Sequence, residues 1–135
     1  MNALRAVVFF AGTIITSFAA FAQDAALLPE AQKAFDRGIG AVQQQQWGQA
    51  VRHFTDAHKI GGNDPRILLN LGLAQARLGN ELHAIGWLNA AAAAAPDSPN
   101  AKAIPQETQR LKELVVAKID RLLGLGIAAA EKMPE

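Results

Sequence analysis

The sequence has no cysteine and no tyrosine among its 135 residues. Without cysteine the chain forms no disulfide, no thiolate zinc site and no cysteine nucleophile, which excludes those classes of protein. The sequence also has no large excess of positive or negative charge, because 13 basic and 12 acidic residues leave a formal net charge of +1. This balance excludes a strongly basic nucleic-acid-binding protein.

Hydroxyl groups are scarce after Ala22: the chain has one serine, Ser98, and two threonines, Thr55 and Thr108. Nucleophilic catalysis needs such a group beside a base, and no serine-hydrolase, phosphate-loop or zinc-protease motif is present. His53 and His58 are separated by a spacing that splays their side chains by about 140° around a helix and disfavours a shared metal site. We therefore expect no catalytic residue, no metal and no cofactor.

The segment 1–22 has the pattern of a secretory signal peptide. One charged residue, Arg5, precedes an uncharged run that ends in Ala20-Phe21-Ala22. Small residues at this spacing are recognised by signal peptidase, so we predict cleavage after Ala22. The alternative is an uncleaved membrane anchor, for which the apolar run is short. Cleavage would give an exported protein, periplasmic or secreted, that begins at Gln23, has zero net charge and has no stable membrane insertion.

An internal repeat organises the segment 23–98. Small and bulky apolar residues recur at one constant offset in four pairs: Gly38 and Gly72, Ala50 and Ala84, Phe54 and Leu88, and Ala57 and Ala91. No insertion interrupts the register, so the two units are 31–64 and 65–98. One unit cannot bury its apolar face alone, and stacking on the next unit covers that face.

Each unit is predicted to contain two helices. Apolar residues recur every three or four positions over four ranges: 29–44, 47–60, 65–78 and 81–95. Gly61-Gly62 and Gly79-Asn80 suit turns, and Asp64-Pro65 suits a capped helix start. Small residues at the crossing of two helices let their backbones approach, which explains why glycine and alanine recur. The sequence therefore predicts an all-α protein of antiparallel helix pairs.

The second unit has a recognisable set of residues: Leu71-Gly72, Gly79, Ala84, Leu88, Ala91 and Pro96. The first unit has a similar set: Gly38, Trp47, Ala50, Phe54 and Ala57. With these residues the two units resemble tetratricopeptide repeats. The first unit departs from the family at Arg37 and Gly62, where a large apolar residue and a proline are usual. The resemblance implies an antiparallel helix-pair solenoid of two repeats that holds other proteins.

The segment 99–135 does not continue the repeat, because Pro105 falls where a third unit would need a large apolar residue. Pro105 suits a first helical turn, and the range 106–123 has the pattern of one amphipathic helix with an apolar stripe from Leu111 to Leu123. We predict that this C-terminal helix and tail cap the open end of the solenoid. Pairing of the helix with another chain is the alternative.

The resemblance also implies a binding groove, since the first helix of each tetratricopeptide pair lines the concave face. Nine residues take these places: Gln32, Phe35, Ile39 and Val42 from the first pair, and Arg66, Leu69, Asn70, Leu73 and Arg77 from the second. Apolar side chains with two cations and an amide suit a protein segment with apolar anchors and an acidic group. Alternatively, the protein's own tail or a second chain fills this groove.

Two functions are consistent with these features. The first is a non-catalytic scaffold or adaptor of the cell envelope that binds a protein or peptide partner through the concave face. The second is a structural module that self-associates, for example as a homodimer. It is considered because two repeats are fewer than the three or so that a stable array usually needs. A nucleic-acid partner is not expected, since a chain with no net charge has no field to attract one.

Overall fold

The computed structural model describes residues 26–132, apart from the side chains of residues 127–130. The expected signal peptide, residues 1–22 with cleavage after Ala22, lies outside the described residues, as do the last three residues of the tail. The described residues form five helices and no strand. The expected all-α class is therefore confirmed.

The helices follow one another along the chain as two pairs and a single long helix. Their bounds are α1 Pro29–Gln43, α2 Trp47–Gly61, α3 Pro65–Arg77, α4 Glu81–Ala94 and α5 Pro99–Ala130. Three residues join α1 to α2 and three join α3 to α4, so each pair is a tight helical hairpin. Helices that are adjacent in the sequence are packed together in space, which is the arrangement of a helical repeat solenoid.

The start of α3 and the turns on either side of it follow the predicted chemistry. Asp64 caps α3, because its carboxylate accepts a hydrogen bond of 2.9 Å from the backbone N–H of Arg66, and Pro65 takes the first helical position. Gly62 and Gly79 adopt positive φ angles of 65° and 79° at the ends of α2 and α3. These angles favour glycine because it has no Cβ.

Small residues lie where the helices of each pair cross. The fully buried ring of Phe54 lies against Gly38, and a Cβ added to Gly38 would overlap that ring. In the second pair a Cβ on Gly72 would come within 2.9 Å of Leu88 Cγ. The other repeated small residues are also buried: Ala50, Ala57, Ala84 and Ala91. The residues repeat because both pairs need the same packing at the helix crossing. Each pair has one glycine beneath one bulky side chain.

The predicted start of the last helix was wrong, because α5 begins at Pro99 and contains Pro105 in its interior. Ser98 caps this start, since its Oγ accepts a hydrogen bond of 3.1 Å from the backbone N–H of Ala101. An interior proline costs about 3 kcal/mol. Burial of Ile104 and Leu111 offsets this cost, since each such side chain contributes about 1.5–3 kcal/mol.

Only the first half of α5 belongs to the packed body. Ile104 and Leu111 join a core cluster with residues of α3 and α4. Beyond Leu111, residues 112–126 are exposed except for the half-buried Val115. At 32 residues α5 is about 48 Å long, against about 20 Å for the 13 residues of α3. The first half therefore caps the second helix pair, and the second half extends past it.

Candidate protein-binding face

The nine residues predicted to line a groove differ in how accessible they are. Four of them are buried, with at most 9% exposure: Val42, Leu69, Asn70 and Leu73. Five retain partial or full exposure: Gln32, Phe35, Ile39, Arg66 and Arg77. We call these five residues the first-helix face, because they lie on α1 and α3, the first helices of the two pairs. The structure thus divides the predicted groove into a covered part and an accessible part.

In the covered part, Val42 packs in a core cluster with Phe54, and Leu69 and Leu73 lie under α5. Leu69 and Leu73 line a crevice that α5 closes with residues 100–107, including Ile104 and Glu107. The space left is about 10 Å³, which is close to the minimum for one water molecule. No side chain of a partner fits there while α5 is in place. In the second pair, the protein's own C-terminal helix therefore occupies the predicted site.

The apolar residues of the accessible part are Phe35 and Ile39 of α1. The ring of Phe35 contacts the buried ring of Phe54, with centroids 5.5 Å apart and planes tilted by 48°. Aromatic pairs of this kind contribute about 0.5–1.5 kcal/mol beyond their burial. Ile39 packs beside Phe35 against the same core cluster, and both side chains remain partly exposed. They form an apolar surface that the core holds in a fixed orientation.

An exposed carboxylate lies next to this apolar surface. The amide of Gln32 donates a hydrogen bond of 2.8 Å to Asp36, one turn further along α1. Asp36 was not among the predicted residues, although its position one turn after Gln32 places both on the same side of a helix. The face on α1 is therefore polar at its edge and apolar beside it.

The two arginines of the first-helix face already have partners within the protein. Arg66 forms a two-pronged ion pair with Asp64, at 2.9 Å from Nε and 2.7 Å from Nη2. Burial of the Asp64 carboxyl opposes its ionisation, but the hydrogen bonds from Arg66 outweigh this effect and lower its pKa. The buried Asn70 donates its amide hydrogen to the carbonyl of Arg66 at 2.7 Å. Arg66 and Asn70 thus stabilise the start of α3.

Arg77, at the end of α3, lies over the ring of Trp47 with its Cζ 5.6 Å from the ring centroid. Partial burial and, to a lesser degree, the positive charge of Arg110 on α5 lower the pKa of Arg77. A cation–π contact at an exposed site contributes about 0.5–1 kcal/mol. The stacked guanidinium retains its charge, so Arg77 presents an oriented cation at the exposed end of the face.

The three described hydroxyl groups and the imidazole of His58 make structural contacts. Each hydroxyl makes a hydrogen bond to its own helix: Thr55 donates to Val51, Thr108 donates to Pro105, and Ser98 accepts from Ala101. His58 bonds the carbonyl of Gly62 through Nδ1 at 2.8 Å and packs edge-on against Trp87. Within residues 26–132, no three His, Asp or Glu side chains are grouped as metal ligands. None of the described helices combines the length and apolar character needed to cross a membrane.

Comparisons with known proteins give no family for the chain. No protein-family model matches the sequence, and a search of curated proteins finds no match. The first-helix face is therefore interpreted from its own residues and from Asp36 next to them: an apolar pair held by the core, a carboxylate beside that pair and an oriented cation at the end of α3.

Proposed function

We propose that this protein is a non-catalytic scaffold or adaptor that binds a segment of another protein through the first-helix face. The two helix pairs act in this proposal as tetratricopeptide repeats. The observation that carries it is the arrangement of Phe35 and Ile39, whose inner sides pack on the core and whose outer sides are open. Apolar residues held rigidly in this way bind with little loss of side-chain entropy, as in known interface hot spots.

The binding surface is centred on α1, because α5 covers Leu69 and Leu73 in the second pair. A bound segment would place an apolar side chain against Phe35 and Ile39. A basic group of that segment would pair with Asp36, and an acidic group would pair with Arg77. The partner is thus a protein segment of mixed charge with at least one apolar anchor.

A photo-crosslinking experiment tests this face. A photoreactive residue replaces Gln32, beside the apolar pair, and a control carries it at the exposed Gln49 on α2. Illumination in the native envelope fraction should give adducts from position 32 and none from position 49. Ile39→Asn should abolish those adducts while the helical circular dichroism is unchanged. Equal adducts from both positions, or adducts that survive Ile39→Asn, would contradict the proposal.

Export to the periplasm or the extracellular medium is the second part of the proposal. It is supported by the pattern of residues 1–22, in which Arg5 precedes an uncharged run ending in Ala22. Intact-mass measurement on protein recovered from its host should give a chain that begins at Gln23. A mass that includes residues 1–22 would indicate the membrane anchor instead.

A self-associating structural module is the second candidate, and one observation favours it. The first half of α5 fills the second-pair groove, so the open apolar surface on the first helices is reduced to Phe35 and Ile39. A surface of this size could be covered by the same surface of a second copy. Sedimentation velocity over a hundredfold range of concentration distinguishes the two candidates. A monomer at all concentrations would rule out self-association.

A further inference from the structure

The second half of α5 carries a row of exposed apolar side chains. Four of them lie on one side of the helix, with exposures of 40% to 68%: Leu114, Ile119, Leu122 and Leu125. Residues 116–126 are all exposed. Single exposed leucines are common on protein surfaces, but a contiguous apolar row marks a surface that another molecule covers. We call these four residues the distal stripe.

The distal stripe continues the buried seam of the same helix. Alternating steps of four and three positions connect seven side chains: Ile104, Thr108, Leu111, Val115, Lys118, Leu122 and Leu125. A heptad spacing of this kind is the pattern that one helix presents to another. The first three positions are buried against α3 and α4. The first part of this seam therefore packs against α3 and α4 of the same protein. The rest of the seam is exposed and has the geometry to pack against one more helix.

Lys118 makes the last contact between this seam and the two helix pairs. Its ammonium group pairs with Glu81 at 2.5 Å and donates to the carbonyl of Gly79 at 3.3 Å. This turn and the start of α4 carry two more exposed apolar side chains, Leu78 at 44% and Leu82 at 70%. A molecule seated on the distal stripe would therefore meet this turn at its end.

The charges beside the distal stripe are positive. Around the helix, Lys112 and Arg121 lie about 80–100° to either side of Leu122, at the two edges of the stripe. Glu113 and Asp120 lie about 160–180° from Leu122, on the opposite side of the helix. All four of these charged residues are exposed. The stripe is thus apolar in the centre and cationic at both edges.

This charge pattern disfavours a second copy of α5 as the partner. Antiparallel pairing would place the Arg121 edge of one helix against the Arg121 edge of the other. Parallel pairing would place the Arg121 edge against the Lys112 edge. The antiparallel arrangement brings cations together, which is unfavourable across a helix interface, and the in-register parallel arrangement sets Arg121 against Gly126 and gives it no acidic partner.

A flat lipid surface is disfavoured by shape. The distal stripe lies on the same side of α5 as Leu111, and that side faces α3 and α4. A bilayer in contact with the stripe would overlap the helix pair, which lies alongside α5 as far as Lys118. A single helix is narrow enough to avoid this overlap, since its diameter is about 10–12 Å.

We propose that the distal stripe binds an amphipathic helix of another protein, one whose apolar seam is flanked by aspartate or glutamate. Its apolar residues cover Ile119, Leu122 and Leu125, and its carboxylates pair with Lys112 and Arg121. This site is separate from the first-helix face on α1 and does not depend on the function proposed for that face.

Two synthetic peptides test the proposal. Both have the same four-heptad leucine seam, and glutamate flanks the seam in one while lysine flanks it in the other. Fluorescence anisotropy is measured with full-length protein, purified as its host processes it. We expect the glutamate peptide to bind at least about tenfold more tightly than the lysine peptide at low salt. The difference should shrink at about 0.5 M salt, where the Debye length is only a few ångströms.

Surface variants locate the site without disturbing the core. Leu122→Glu should abolish binding of the glutamate peptide, and Leu28→Glu, at an exposed leucine before α1, should leave it unchanged. The double variant Lys112→Glu/Arg121→Glu should reverse the preference and bind the lysine peptide more tightly. Reversal of this kind cannot arise from unfolding, so the test does not depend on one disruptive variant.

Three outcomes would overturn the proposal. Equal binding of the two peptides, or binding of neither, would show that the stripe does not select an acidic helix. A concentration-dependent dimer that Leu122→Glu abolishes would show that a second copy covers the stripe. Sedimentation with vesicles of phosphatidylglycerol and phosphatidylcholine, lost in Leu122→Glu, would show that lipid covers it. None of these results bears on crosslinking from position 32.

Discussion

At the scale of single residues, the distance between paired helices is set by glycine. Gly38 and Gly72 occupy equivalent positions in the two repeats, and each lies under a bulky side chain of the partner helix. Phe54 and Leu88, which fill these places, have no exposed surface. Interiors are close-packed, so a single added methyl group has no space unless a neighbour moves.

Two glycines of α1 allow a matched test of this packing. Gly38→Ala should lower the free energy of unfolding by about 1–3 kcal/mol, because the new methyl group overlaps the buried Phe54 ring. Gly40→Ala should raise it by about 0.5–1 kcal/mol, because nothing lies within 4 Å of the added Cβ and alanine favours the helix. Urea denaturation measures both. If both substitutions changed the free energy of unfolding in the same direction, helix propensity would determine the effect and not the packing at the helix crossing.

Sequence reasoning found these glycines because the size of a side chain is visible in the sequence. It left open whether Leu69 and Leu73 are accessible or covered by the protein's own tail. A half-apolar helix face looks the same whether it is open or occupied, and the segment that occupies it begins beyond the whole of α4, at Asn100. The sequence did contain a signal for the start of this helix at Ser98-Pro99, since serine suits a helix N-cap and proline suits the first helical position.

At the scale of secondary-structure elements, α5 shows packing overriding a local signal. Pro105 has no N–H to donate to the carbonyl one turn earlier, so it predicted a helix start. The helix instead runs through it, because the buried Ile104 and Thr108 on either side require one continuous helix. Pro105 itself is exposed, which removes any clash of its ring with other helices. The existence of the helix was predicted, but its beginning at Pro99 was missed, because Pro105 indicated a later start.

Replacing the interior proline should stabilise the protein. Pro105→Ala supplies an N–H for the carbonyl of Ala101 and should raise the free energy of unfolding by up to about 3 kcal/mol. The matched control is Pro99→Ala at the first helical position, which should change it by less than about 0.5 kcal/mol. Thermal denaturation followed by circular dichroism compares them. A lower melting temperature for Pro105→Ala would mean that the packing of α5 requires a bend at Pro105.

The contact between α5 and the start of α4 should make stability depend on pH. The hydrogen bond from Lys118 lowers the pKa of Glu81 from its ordinary value of 4.5. A depressed carboxyl pKa stabilises the folded state above the ordinary value, and this stabilisation is lost as the pH falls through the lowered one. The stability advantage of the native protein over Glu81→Gln should therefore be full near neutral pH and shrink below about pH 4.5.

The control for this effect is the same comparison in a Lys118→Gln background. Without the ammonium partner, Glu81→Gln should change stability less, and the change should depend less on pH. Chemical denaturation at several pH values between about 3 and 7 provides both measurements. An undiminished pH dependence in that background would assign it to another group.

At the scale of the whole molecule, the fold is a short solenoid with one end extended. Neighbouring helices pack in sequence order, and the contacts end near Lys118 although α5 continues to Ala130. One helix therefore has two roles: its first half completes the core of the second pair, and its second half displays an apolar surface. The sequence pattern predicted one amphipathic helix. The division of that helix into a packed half and an exposed half is visible only in its contacts with the other helices.

Two leucines of α5 test this division. Leu111 has 1% exposure and Leu122 has 68%. Leu111→Ala should lower the free energy of unfolding by about 2–5 kcal/mol, as expected for a buried leucine. Leu122→Ala should change it by no more than about 0.5 kcal/mol. Equal losses in urea denaturation would show that the second half of α5 is also part of the core.

The end of the packed interface at Lys118 also determines how the molecule responds to force. A partner that pulls on the far end of α5, at Ala130, acts on a lever of about 18 Å beyond that contact. The first resistance is the contact of Lys118 with Glu81 and the carbonyl of Gly79, and the buried Leu111 resists only after two more turns have separated. Contacts that break one after another yield at lower force than contacts that break together. A load on α5 would therefore peel this helix away and uncover Leu69 and Leu73 before either helix pair opens.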